Sequence, residues 1–104
     1  MVDMATVLDG TGYAFKHFAW KSAPDGDYGV WAEEAGADLV AGNRHIERAT
    51  AGTIDYFTRN DSIVVRETIE SALNSAPILW ALNAILFEED TGYIHYEWTY
   101  TVYG

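Results

Sequence analysis

The constraint that most limits this chain lies in its closing stretch, "TGYIHYEWTYTVYG". Ile94, Tyr96, Trp98, Tyr100 and Val102 occupy every second position, with His95, Glu97, Thr99 and Thr101 between them. Alternation of this kind belongs to a strand with one buried face, because successive side chains of a strand point to opposite sides. A chain ending this way must supply a sheet and something apolar to cover it.

The segments upstream read in the same terms. Asp3 caps a short helix carrying Met4, Val7 and Leu8, which stops at Gly10 and Gly12. "YAFKHFAW" and "YGVWAEE" are strand-like and are separated by the turn-rich "SAPDGD". "AGADLVAGNRHIERA" is a long loop or hairpin tip in which glycines bracket Leu39 and Val40. In "RATAGTIDYFT", Ile54 and Tyr56 fall on one side and Thr53, Asp55 and Phe57 on the other. "DSIVVRETIESALNSAP" changes period: Val65, Ile69, Ala72 and Leu73 share a helical face, and Arg66, Glu67, Glu70 and Asn74 lie opposite. Asp61 is the expected cap and Pro77 the stop. "ILWALNAILF" then forms the first strand of a terminal hairpin turning at Thr91-Gly92. The expected fold class is α+β in a single domain, 1–104: a mostly antiparallel β-sheet, one long amphipathic helix packed on one face, and a short N-terminal helix.

Composition narrows the function classes. Six Lys and Arg against sixteen Asp and Glu give a net charge of -10, which disfavours binding nucleic acid through its phosphates. The same charge suits a channel wall past which DNA slides without being held. There is no cysteine, so disulfides and thiol chemistry are excluded. No stretch is apolar over the roughly 18 to 20 residues a membrane span needs, and the acidic "MVDMATVLDG" is unlike a secretory leader. A soluble, unexported protein without membrane association is the expectation.

Sites of chemistry are hard to find. His17, His45 and His95 stand in separate segments without metal-ligand spacing, so Glu33, Asp55 and Glu97 could join them only if the fold gathered them. None of Ser22, Ser62, Ser71 and Ser75 lies in a nucleophile elbow. Glu88, Glu89 and Asp90 read as a solvated acidic turn. No enzyme activity and no cofactor are expected. Aromatic residues, at 14% of the chain, exceed what one small sheet can hide. Tyr13, Phe15, Tyr93 and Tyr103, out of phase with the expected core face, are candidates for a second buried surface made by a partner or by further copies.

The order of "YAFKHFAW", "YGVWAEE", "GADLVAG", "TIDYFT", "IVVRETIESAL" and "FEEDTGYIHYEWTYTV" resembles the tail-terminator or tail-completion proteins of long-tailed bacteriophages, over about Tyr13 to Val102. Asp27 stands before Tyr28 where that family often has proline, and "NRHIERA" is more polar than its usual strand. The resemblance implies a non-enzymatic virion protein, made in the host cytoplasm. It implies a ring, typically of six copies, at the head-proximal end of the tail tube, where it stops growth of the tail-tube protein and offers a joining surface to the head-tail connector. DNA would pass through without specific binding. The stretch Asp38, Leu39, Val40 and Ala41 resembles a docking hairpin of that family. Another neck or head-tail adaptor, or a small-molecule-binding α+β domain, remains an alternative.

Overall fold

The computed structural model describes residues 2–34 and 49–103. In chain order the elements are α1 (Met4–Asp9), β1 (Phe15–His17), β2 (Tyr28–Glu33), β3 (Ala49–Thr58), α2 (Ile63–Asn74), β4 (Ile78–Glu88) and β5 (Tyr93–Tyr103). The five strands form one mixed sheet in the order β1-β2-β3-β5-β4. Every pairing is antiparallel except the parallel one between β1 and β2.

Alternation sets the register. Ile54, Tyr56, Trp98 and Tyr100 all lie on the face that both helices cover, and each is buried. Ile54 stands directly opposite Trp98, and Tyr56 opposite Tyr96. Val65, Ile69 and Leu73, one turn apart, bring α2 onto this face, while Met4 and Leu8 do the same for α1. Two polar bonds fix the helix laterally: Trp98 Nε1 donates to Glu70 Oε2 at 3.0 Å and Trp80 Nε1 to Asn74 Oδ1 at 2.9 Å. Glu70 therefore belongs to the packed side of α2 rather than the solvent side that helical phase alone assigned it.

The expected fold class needs correction. Among the described residues the fold is mostly β, with 47% in strand, and no long amphipathic helix is present. α2 has only 12 residues. Its first turn starts later than Asp61, because Ser62 is the capping residue whose side chain accepts from the Val64 N–H. The apolar run after Pro77 is spent on strand β4, paired along its length with β5.

The first two strands also depart from a simple hairpin. β1 has three residues and ends where Phe18 takes a φ of 72°, a left-handed conformation uncommon outside glycine. Parallel pairing then obliges the chain to travel back before β2 begins. Residues 18–27 make that return, held by Trp20 Nε1 donating to the Gly29 carbonyl at 2.9 Å. Tyr93 anchors its far end, its hydroxyl donating to the carbonyls of Asp25 and Gly26. Gly29 is required here, because a Cβ would enter the rings of Phe15 and Tyr56. At the β4–β5 turn Gly92 adopts a φ of 77°, which an L side chain resists.

Two predictions follow from this core. Ile69 is fully buried, so Ile69→Ala should lower unfolding free energy by about 2–5 kcal/mol in urea titration; a loss under about 0.5 kcal/mol would show that α2 does not rest on this side chain. Burial also raises the phenols of Tyr56 and Tyr100, the latter to about 12 from the usual 10.0. Their contribution to stability should be complete below pH 10.0 and fall as pH climbs toward about 12, since the unfolded chain ionises first. Denaturant midpoints measured across that window should drop, and Tyr100→Phe should flatten the drop.

Candidate assembly surface

Both helices lie on one face of the sheet, and β4 forms its edge. Among the described residues nothing pairs with the outer side of β4, so its outward N–H and C=O groups face solvent. The strand carries ten apolar or uncharged residues before Glu88. Leu79, Ile85, Leu86 and Phe87 are each at least half exposed, with Phe87 at 65%.

A bulge explains why apolar groups reach both faces. Register between β4 and β5 shifts between Leu82 and Ala84, leaving Asn83 as the extra residue. Before it, Ile78, Trp80 and Leu82 share the helix face with Val102, Tyr100 and Trp98; after it, Ile85 and Phe87 do so with Tyr96 and Ile94. Leu79 and Leu86 thereby point to the face without helices. On the helix side, Ile85 and Phe87 border a cleft of about 530 Å³ shared with Ile63, Ile94, Arg59 and Arg66.

The face without helices is polar at its centre. His95 Nε2 lies 2.7 Å from Asp55 Oδ1, and its Nδ1 lies 3.7 Å from Glu88 Oε2. The imidazole stacks on Phe57 with centroids 4.2 Å apart. Burial pushes the Asp55 carboxyl up, against the opposing pull of its His95 hydrogen bond. Since each ring nitrogen faces a carboxylate, the histidine acts as a clip joining β3, β5 and the end of β4. Asn83 Nδ2 donates to Glu97 Oε2 at 3.1 Å, tying the bulge to the same face.

A second histidine sits near the opposite edge. His17 is stacked between Phe18 and Trp31, with Nε2 2.5 Å from Glu33 Oε1. That hydrogen bond holds the Glu33 carboxyl below its usual range. Among the described residues, no group of three His, Asp or Glu side chains is arranged to hold a metal ion, and no helix is long and apolar enough to cross a membrane.

The four aromatic candidates are not brought together. Tyr13 and Phe15 rest on Tyr56 from the helix side, each with ring centroids 5.4 Å away. Tyr93 is on the other face but buried, with Arg59 lying 4.0 Å over its ring and donating to the Thr91 and Asp25 carbonyls. Tyr103 remains exposed, at 43%. Asp38, Leu39, Val40 and Ala41 lie outside the described residues. Reasoning from sequence missed Leu79, Ile85, Leu86 and Phe87; their signal was the absence of alternation in "ILWALNAILF", which puts apolar groups on both faces of one strand.

No known family model matches this chain, and a search of curated proteins finds no match to it.

If the His95 clip secures the edge, His95→Ala should speed amide hydrogen exchange in Ile85–Glu88 while sparing the centre of β3. Unchanged exchange at those β4 amides would show that the clip does not hold the strand.

Proposed function

We propose that this chain is a structural subunit of a phage tail, a tail-completion protein without enzymatic activity. It forms a ring at the head-proximal end of the tail tube, ends tube growth and presents a surface to the head connector. The observation carrying this reading is the exposed apolar row of Leu79, Ile85, Leu86 and Phe87 on a long unpaired edge. Ile85 and Phe87 on the helix side and Leu79 and Leu86 on the other leave apolar surface on both sides of this edge, which another protein would cover. The segments on which the tail-protein resemblance rests include "TIDYFT" in β3 and "FEEDTGYIHYEWTYTV", which runs from Phe87 at the end of β4 through the turn and along β5. A net charge of -10 supports passage of DNA without retention.

The test is assembly with cognate tail-tube subunits, followed by electron microscopy and labelling of this chain. Tubes should stop growing and carry label at one end only, in a ring of about 70 kDa for six copies of the 11.6 kDa chain. Tubes that grow unchecked and unlabelled would overturn the proposal. Leu39→Asp combined with Val40→Asp should abolish end-capping without lowering Tm, since these positions are assigned to docking. Capping by the double variant would remove that assignment.

A further inference from the structure

The outer edge of β4 has a property separate from its apolarity: it is complementary to itself. We propose that the free protein pairs with a second copy through this edge, β4 antiparallel to β4 across a two-fold axis perpendicular to the sheet. This does not rest on the tail reading, because a two-fold contact closes on itself and needs no ring.

The bulge dictates the register. It moves both side-chain face and hydrogen-bond direction along by one residue between Leu82 and Ala84. A two-fold pairing that matches faces must therefore be centred at the bulge, and a centre between Leu82 and Asn83 engages ten residues without setting Leu79 against the partner's Glu88, as a centre one residue further on would. Ile78 then meets the partner's Phe87, Leu79 the partner's Leu86, Trp80 the partner's Ile85, and Ala81 the partner's Ala84. In these four pairs large residues meet large ones and alanine meets alanine, while at the centre Leu82 meets the partner's Asn83, so exposed apolar groups toward both ends of the strand are covered on both faces. The helices of both copies remain on one side of a continuous sheet.

Charge selects the same arrangement. The ten residues from Ile78 to Phe87 carry no charge, whereas Glu88, Glu89 and Asp90 follow directly. Antiparallel pairing puts the two acidic turns at opposite ends, roughly 35 Å apart at about 3.4 Å per residue. That exceeds the screening length of about 8 Å at physiological salt. Parallel pairing would set the turns side by side. The other sheet edge is a poor alternative partner, since β1 has only three residues and ends at Phe18.

The test measures the mass of the whole chain by sedimentation over a wide concentration range, with amide exchange on the same samples. The expected result is twice the 11.6 kDa chain mass, with outward β4 amides protected in proportion to dimer. Leu79→Lys should give a monomer with unchanged circular dichroism, because Leu79 is 62% exposed, and with a Tm that no longer rises with protein concentration as the dimer's does. Adding Leu86→Glu to that variant should restore the dimer, since the two substitutions face each other across the axis. A wild-type monomer overturns the proposal, whether its β4 amides exchange freely or are protected by another part of the same chain. A dimer that survives Leu79→Lys, or that Leu86→Glu does not restore, overturns this edge and register.

Discussion

The indole of Trp98 and the carboxylate of Glu70 together decide how the rest of the molecule is arranged. Trp98 is fully buried on β5, between the neighbouring strands β3 and β4, and its N–H must find an acceptor once removed from water. Glu70 supplies it at 3.0 Å and also accepts from Arg66 Nε at 3.0 Å, so the carboxylate has charged and neutral donors in its half-buried position. Because this bond has a direction, it fixes where along the sheet α2 sits as well as which face it covers. Apolar packing by Val65, Ile69 and Leu73 holds the helix down but would tolerate sliding far better.

With α2 anchored there, the exposed edge becomes a matter of length. A 12-residue helix covers about 18 Å, whereas 11-residue strands such as β4 and β5 run about 35 Å. α1 adds only six residues. Cover therefore runs out before the sheet does, and Ile85 and Phe87 lie where it ends. The opposite face is protected differently, by the return loop that Tyr93 and Arg59 hold in place. Four aromatic rings, those of Tyr28, Phe57, Tyr93 and Trp20, are thereby used internally rather than presented to a partner.

Much of this was legible in sequence where periodicity and burial coincide. The phases of β3 and β5, the Asp3 cap and the Val65, Ile69, Leu73 stripe are local patterns that tertiary structure preserved. Strand order is another matter. Nothing in "ILWALNAILF" says that it will be an edge, and a run without alternation suits a central strand equally well. The parallel β1–β2 pair escaped notice because "SAPDGD" carries the same turn residues whether it reverses the chain once or lets it travel back. Tyr93 shows why phase alone overcounts interface residues: it lies on the helix-free face, yet its hydroxyl and ring anchor a segment from the other end of the chain. Of the four aromatics expected at an interface, Tyr93 is buried, Tyr13 and Phe15 pack partly buried on Tyr56, and Tyr103 stays exposed.

The position of β5 has a consequence for how the protein comes into being. It lies between β3 and β4 in the sheet but follows both in the chain. Until β5 inserts, therefore, β3, α2 and β4 have no strand that joins them. For that interval β4 has two open edges rather than one, along with the full apolar run from Ile78 to Phe87. Partly folded chains are at their most adhesive in this window, and rapid closure of the tight turn at Gly92 shortens it, since hairpins form in about 1–10 μs once both strands are free. The finished sheet thus depends on its last strand arriving before another molecule takes the open edges of β4.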